Sequence, residues 1–591
     1  MREPRSMCGL AAIFAYQSKA PPVQGDELAV VRDAMRLRGP DGAASWISPD
    51  GRVGLAHRRL AIIDLSPAGA QPMTSADGRL ALVFNGEIYN YRALRAELES
   101  LGTVFRSHTD TEVILEGWRH WGRDVLSRLR GMFALALWDN EARGMLLARD
   151  PLGIKPLYMA DQGGCLRVAS QVKALLAGGS VDTTPDPAGH AGFFLWGHVP
   201  EPHTLYRAIQ ALPAGSWLWR DEAGGRDEGR FFDLGQELAA ADEKSFDIDI
   251  LHEALADSVK AHLEADVPVG LFLSGGLDST TLAALVREAA EGPVKSITLG
   301  FSEFQGGAQD EVPLAERVAA HYRLNHTTSR VTAADFAQAR DQLLAHMDQP
   351  SVDGVNTWFV ARAAARSGLK VALSGLGGDE LFAGYDSFAQ IPRLAGALGP
   401  LRPLRGLGTL LRMALSPWIG RFASPKTAGL LEWGTSFGDA YLLRRALFMP
   451  WELPRVMDSD MAREGWKALQ APSRLEAATA GISSARLKVS ALEAGFYMRN
   501  QLLRDSDWAG MAHSLEIRVP LVDVDLLRAV LPLVRGPRPP GKRDMAACAR
   551  PALPPELLDR PKTGFFVPVA QWLGASSLRG WARQVHGAFQ A

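Results

Sequence analysis

Two domains of different build are predicted, a mixed α and β unit in front and an α/β unit around a parallel sheet behind. Three observations lead there. The chain has 591 residues, more than one hydrophobic core usually supports, so a division into domains is expected. From Met7 to about Trp219, short apolar runs such as LALVFNG and GMFALALWD alternate with Gly, Pro and Asp turns, with helical stretches between them. Later, the apolar runs VPVGLFL, VKSITLGF and LKVALSG are separated by alanine-rich helical segments, the pattern of a parallel sheet covered on both faces.

The boundary falls where composition changes. Arg220 to Glu243 is rich in Gly, Asp and Glu and buries too little apolar surface to order itself strongly, so it is expected to be a linker. This leaves a front domain over 8–219 and a rear domain over 244–591. No internal repeat is evident.

Composition narrows the partners. With 64 basic and 66 acidic side chains the net charge is −2, which offers no electrostatic case for nucleic acid or an acidic membrane. Small soluble substrates fit better. The three cysteines, Cys8, Cys165 and Cys548, are far apart without CxxC spacing, so neither a disulfide framework nor a zinc site is suggested. No apolar run approaches the ~20 residues that span a bilayer, and MREPRS lacks the apolar core of a signal peptide. A cytoplasmic location is expected.

The sharpest local signal is VPVGLFLSGGLDSTTLAALV, Val267 to Val286. An apolar run ends in Ser274, Gly275 and Gly276, then Leu277, Asp278 and Ser279 open an amphipathic helix pattern. Glycines let backbone amides approach an anion, and a helix amino terminus adds positive partial charge, so the turn suits phosphate. Asp278 is placed to hold magnesium there. An ordinary strand-to-helix turn uses the same residue types. No GKS or GKT follows, so this is not a Walker loop.

A second run, Val371 to Leu373, leads into Ser374, Gly375, Leu376, Gly377, Gly378, Asp379 and Glu380. It brings more amides and a carboxylate to the same edge of a parallel sheet, where such sheets bind ligands. Asp278 and Asp379 together are enough to share magnesium on a pyrophosphate, since that ion favours one or two carboxylates plus phosphate oxygens. For Asp379 alone, a helix cap is as good a reading.

The SGGLDS turn followed by LSGLGGDELFAGY resembles the ATP pyrophosphatase domain of the asparagine synthetase family. Met7-Cys8-Gly9, RGPD from Arg38, AHRRLAIID from Ala56, FNGEIYNY from Phe84 and RDPLGIKPLY from Arg149 resemble that family's class II glutaminase domain. MAHSLEIRVPLVD from Met511 and RPKTGFFVP from Arg560 resemble its late synthetase motifs. The order fits, and nearly the whole chain is covered. The resemblance implies an Ntn-hydrolase αββα sandwich in front and an adenine nucleotide α-hydrolase-like parallel sheet behind. It implies ATP and Mg2+ as cofactors, with glutamine and a carboxylic acid acceptor as substrates, best L-aspartate. A homodimer is a possible assembly.

By resemblance, Cys8 is the nucleophile that releases ammonia from glutamine. A thiol needs a base, and in amino-terminal nucleophile enzymes this is the residue's own α-amine, which requires Cys8 to be the first residue of the mature chain. Asn85 and the Gly86 amide are expected to hold the oxyanion. Arg59 is expected on the glutamine α-carboxylate and Glu87 and Asp110 at its ammonium. The plainer reading of Arg59 and Asp110 is a surface ion pair. In the rear domain Phe272, Leu299, Ser374 and Gly375 are expected around the nucleotide beside the SGGLDS turn. Lys562 in RPKTGF is expected to neutralise phosphate or the attacked intermediate, unless it is a solvated surface lysine.

Two departures bear on the acceptor. Leu376 stands where asparagine synthetases usually carry glutamate, and the usual Asp-Arg-x-Ser run appears as Asp507, Trp508, Ala509 and Gly510. The acceptor pocket is therefore expected to differ, and a sugar uronate or another metabolite stays open as the amidated acid. Arg393 to Arg421 is rich in Leu, Gly, Pro and Arg. It reads either as a surface for membrane or anion, or as helices laying arginines over a core.

Overall fold

The computed structural model describes residues 8–240, 242–419, 425–558, 567–572 and 578–590. The apolar runs of the front half form β1 (Gly9–Ala15), β2 (Gly42–Ile47), β3 (Val53–Arg59), β4 (Met73–Thr74), β5 (Leu80–Ile88) and β6 (Gly131–Asp139). The series continues with β7 (Gly144–Arg149), β8 (Tyr158–Gln162), β9 (Cys165–Ala169), β10 (Gln210–Ala211), β11 (Ser216–Asp221) and β12 (Arg226–Arg230). They pair antiparallel into two sheets, ordered β10-β8-β9-β1-β3-β2 and β12-β11-β7-β6-β5-β4. The central strands are buried along nearly their whole length because both of their faces are covered.

Leu10, Phe14, Leu55, Val83, Ala136 and Leu147 fill the space between the sheets. On one outer face Leu28 and Val31 of helix 25–34 pack on Ala11 and Ile13. On the other, Leu94, Leu98, Val113 and Ile114 of helices 91–100 and 110–121 pack on Leu82 and Phe84. The result is the expected αββα sandwich.

The stretch 220–243, read from composition as a linker, contains β12 and helix 234–240. β12 pairs with β11 from Ser216↔Arg230 to Arg220↔Arg226, so the front sheet runs past 219. The reason is that β12 is an edge strand with the polar sequence RDEGR, almost wholly exposed. Charge on an edge strand discourages pairing with other chains and also hides the strand from a reading by apolar alternation.

Behind it, β13 (Val269–Phe272), β14 (Lys295–Phe301), β15 (Asn325–Val331), β16 (Val371–Leu373) and β17 (Glu516–Arg518) form one parallel sheet ordered β15-β14-β13-β16-β17. The chain proceeds outward from β13 in one direction and returns to β16 on the other side. The crevice between β13 and β16 is therefore the topological switch point, where open parallel sheets bind ligands. Both glycine-rich turns leave the sheet there.

Buried charge joins the two domains. Arg38 donates from Nη1 and Nη2 to the Asp507 carboxylate at 2.7 and 2.9 Å, and from Nε to the Cys8 carbonyl at 3.1 Å. Arg130 pairs with Asp523 at 3.0 Å. A π-helical stretch, Glu493–Leu503, lies against the front domain, where Asn500 accepts from the Glu201 amide at 2.9 Å. Wide turns of this kind are rare and gather at functional sites.

The stretch 393–421 supplies surface helices and turns, three of whose arginines are paired. Arg402 meets Glu476, Arg405 meets Asp439 and Arg412 meets Glu432, while Arg405 and Arg412 also lie over Trp433 and Trp451. Arg421 lies outside the described residues. Among them, no helix is long and apolar enough to cross a membrane.

Breaking a buried ion pair from one side leaves an uncompensated charge and costs about 3–5 kcal/mol. Asp507→Ala is expected to lower the urea midpoint of unfolding by a corresponding amount. An unchanged midpoint would show that Arg38 finds another partner.

Candidate active sites

The front site forms where the ends of the two stacked sheets meet. Cys8 precedes β1, whose Gly9 is in register with Arg58. Its Sγ lies 3.7 Å from the Leu60 carbonyl. Burial pushes the thiol up to about 12, with Glu87 and Glu516 adding to the shift and Arg59 opposing it. Cys8 is thus a neutral thiol near pH 7, and a nucleophilic role requires a base to remove its proton.

Arg59, the last residue of β3, is not in an ion pair among the described residues. Its Nη1 donates to the Ser66 carbonyl at 2.8 Å and its Nη2 to the Asp64 carbonyl. Gly69 makes room for it, since a Cβ there would stand 2.3 Å from Nη2. The loop 64–69 thus holds the guanidinium through main-chain carbonyls, without a direct ion pair among the described residues.

Asn85, Gly86 and Glu87 end β5. Asn85 is fully buried, and neither Nδ2 nor Oδ1 has a hydrogen-bond partner among the described residues. A buried amide in that state costs free energy unless a ligand or water meets it, which fits a donor awaiting an oxyanion. At Gly86 a Cβ would lie 2.0 Å from the Met132 carbonyl, so no side chain fits. Asp110 is not a surface residue either. It accepts from the Ile88 amide at 2.9 Å and the Thr109 hydroxyl at 3.1 Å, and burial raises it to about 6. Burial, the Glu516 charge and Asp110 likewise hold Glu87 well above the usual carboxylate range, against the pull of Arg518 and Lys155.

The rear site is built on the paired turns. In the first, Ser274 and Ser279 lock its shape: the Ser274 amide donates to Ser279 Oγ at 3.0 Å, and the Gly276 amide to Ser274 Oγ at 3.1 Å. Those two amides are occupied within the turn itself. The second turn packs directly on Asp278. A Cβ on Gly375 would approach Asp278 Cβ at 2.9 Å, and one on Gly378 would approach Asp278 Oδ1 at 2.4 Å. These glycines let Asp278 and Asp379 converge on one cation, Lys542 Nζ, which is 2.9 Å from Asp379 and in contact with Asp278.

Magnesium fits the two carboxylates when Lys542 Nζ gives up the point between them, since two such ligands leave the remaining positions to phosphate oxygens. Among the described residues no cluster of three metal-ligating side chains exists, so an all-protein cage is not what this site offers.

A cavity of about 270 Å³ opens beside the turns. It is lined by Phe272, Ser274, Gly276, Asp278, Ser279, Leu299, Ser374 and Gly375, with Leu376, Asp353 and Asp505. Gly275 faces a larger chamber of about 1640 Å³, which also takes in Asp379, Tyr385, Lys426, Arg445 and Tyr497.

Leu376 packs on an apolar cluster drawn from both domains, including Met132, Ile154, Met498 and Val522. Trp508 does not face the acceptor chamber, contrary to the expectation from sequence. It is buried, donates from Nε1 to Asp505 at 2.7 Å and packs on Gly354. It shapes the cavity through Gly354 and through Asp505, which burial and neighbouring Asp353 raise to about 8.

Sequence reasoning missed Lys542, whose only local signal is GKRD after a proline-rich turn, and it offered Lys562, which lies outside the described residues. It also missed that Arg38 of RGPD holds Cys8 and Asp507 together.

With Cys8 protonated up to about 12, its thiolate fraction grows about tenfold per pH unit across the neutral and mildly alkaline range. Iodoacetamide labelling of Cys8 in the chain that carries the preceding residues is expected to rise through pH 10 without levelling. A plateau near the ordinary thiol value contradicts the burial.

A family model described as a glutamine amidotransferase domain matches residues 7–232, and one described as asparagine synthase matches residues 251–587. A putative asparagine synthetase [glutamine-hydrolyzing] of Mycobacterium tuberculosis is 35% identical over 615 residues, covering 99% of this chain and 91% of that protein. Asparagine synthetase [glutamine-hydrolyzing] 1 of Bacillus subtilis is 30% identical, covering 98% and 90%. Amidase chry2 of Gibberella zeae is 30% identical over 65% of this chain and 60% of its own length. With both domains matched in order and the likeness running almost end to end, the chain belongs to the glutamine-hydrolysing asparagine synthetase family.

Proposed function

We propose that this protein takes ammonia from glutamine at Cys8 and uses it to amidate a carboxylic acid activated as its adenylate, with L-aspartate as the acid. The observation that carries the reading is the meeting of two glycine-rich turns at the switch point of the rear sheet, with Asp278 and Asp379 aimed at one cation.

In the front site the thiol proton passes to a base, the Cys8 α-amine in a chain that starts there. Cys8 Sγ then bonds to the amide carbon of glutamine. Asn85 Nδ2 and the Gly86 amide donate to the oxyanion, a role in which losing one donor typically costs about a hundredfold or more. Collapse breaks the carbon–nitrogen bond, ammonia leaves, and water hydrolyses the thioester to glutamate. Arg59 holds the α-carboxylate, while Glu87 and Asp110 face the substrate ammonium.

In the rear site an oxygen of the acceptor carboxylate bonds to the α-phosphorus of ATP and the bond to the β-phosphate breaks, giving acyl-AMP and pyrophosphate. Phe272 and Leu299 flank the nucleotide and Lys542 balances charge on the leaving pyrophosphate. Magnesium held by Asp278 and Asp379 would supply further charge neutralisation there. Ammonia then attacks the acyl carbon and AMP departs.

A second reading, an acid bulkier than aspartate, is favoured by two observations. Leu376 is apolar and packed on apolar neighbours, so it does no proton or charge work. The chamber beside the turns, about 1640 Å³, exceeds the roughly 300–1,000 Å³ usual for small-molecule sites. Pyrophosphate release screened over aspartate, uronic acids and other carboxylates decides between them. Release with aspartate alone supports the first reading, and release with another acid but not aspartate removes it.

Cys8→Ala is expected to abolish glutamine-dependent pyrophosphate release and keep the ammonia-dependent reaction. Asn85→Ala should lower glutamine hydrolysis by about a hundredfold with the ammonia-dependent rate intact. Parallel loss of both activities in either variant contradicts separate sites.

A further inference from the structure

The two sites share one residue. Arg518, at the end of β17, accepts a hydrogen bond from the Ser374 amide at 2.8 Å through its main-chain carbonyl, at the point where β16 passes into the second glycine-rich turn. Its side chain runs the other way, held by rear-domain groups and presenting one edge to the front domain. Nε donates to Glu516 at 2.6 Å, and Nη1 donates to the carbonyls of His262 and Glu264 at 2.9 and 2.7 Å. That uses three of the five N–H donors of a guanidinium.

Nη2 is different. It stands 3.5 Å from Glu87 Oε1, and neither Nη2 nor Glu87 Oε2 has a hydrogen-bond partner among the described residues. Arg518 is fully buried and Glu87 nearly so, so these unmet groups are costly where they lie. A charge-assisted hydrogen bond between such groups closes at about 2.7–2.9 Å. The pair is therefore set apart by a fraction of an ångström from a much stronger arrangement, with one partner adjacent to the oxyanion donors and the other tied to the phosphate turn.

We infer that Arg518 is a positioning residue through which nucleotide binding at the Ser374 turn tunes the glutaminase site, by closing or opening its contact with Glu87. A phosphate drawn to the turn competes for the Ser374 amide or shifts it, and the Arg518 carbonyl follows. The guanidinium is pinned on one side by Glu516 and two carbonyls, so movement of the strand end is passed to the free Nη2 edge. Glu87 directly follows Gly86, the residue whose amide is proposed to hold the oxyanion, and both lie on the strand paired with Met132 and Phe133. A small displacement there changes how well glutamine and its oxyanion are held.

The test is glutamate release from glutamine by the two-domain protein that begins at Cys8, with and without saturating ATP and magnesium, while nucleotide binding is followed separately by calorimetry with ATP. The parent protein is expected to change its glutamine KM by at least about fivefold on ATP binding, the lower end of ordinary couplings between sites. R518M is expected to bind ATP and to show one KM under both conditions. R518K, which keeps the charge without the planar fork, is expected to retain part of the response. Should R518M not fold, R518K and E516Q carry the comparison, since E516Q releases the side that pins the guanidinium. A parent KM that ignores ATP overturns the inference, as does an R518M or R518K variant with the full parental response. Failure of ATP to bind at all would instead count against the proposed function.

Discussion

Arg38 is the constraint on which the rest depends. One buried guanidinium holds the carbonyl of the candidate nucleophile with Nε and a carboxylate of the rear domain with its two terminal nitrogens. A planar fork can do this where an ammonium cannot. Because Asp507 lies on the helix that also carries Asp505 and Ser506 into the cavity beside the glycine-rich turns, the position of Cys8 is fixed relative to the second site and not only to its own sheet. A second buried group, Arg518 with Glu516, Glu87 and Lys155, repeats the arrangement at the other side of the glutaminase site. Charges this deep are poor investments in stability, and their concentration between two sites argues that register between the domains is what they secure.

The rear site rests on the absence of side chains. Gly375 and Gly378 permit the second turn to lie on Asp278, and Gly384 leaves space beside Asp379, where a Cβ would meet Oδ1 at 1.9 Å. Carboxylates brought this close repel unless a cation stands between them, and Lys542 supplies one. Burial does comparable work in front. It keeps Cys8 a thiol, raises Asp110 and Glu87, and leaves the Asn85 side chain without a hydrogen-bond partner among the described residues, so the site is arranged for charge that arrives with a substrate.

Much of this was legible in the sequence where the signal is local. The SGGLDS and SGLGGDE turns follow directly from apolar strands, and the physical reasons for glycine and aspartate there need no distant partner. What was not legible depends on residues far apart in the chain. Lys542 lies 264 positions from Asp278 and Asp507 lies 469 from Arg38, and neither carries a mark of its partner. β12 was hidden because an exposed edge strand has the composition of a linker. Trp508 was misjudged for the opposite reason. Its unusual identity in a family motif pointed to the acceptor, whereas its indole is spent on core packing and on holding Asp505.

Buried charge holds the candidate nitrogen-releasing and nitrogen-accepting sites in register within one protein. The most direct measurement supplies glutamine labelled with 15N in its amide, together with excess unlabelled ammonium, and determines the isotope in the amide formed on whichever acid supports pyrophosphate release. The account predicts product carrying mainly the label. Product whose isotope content matches the bulk ammonium would show that the two sites do not work as one.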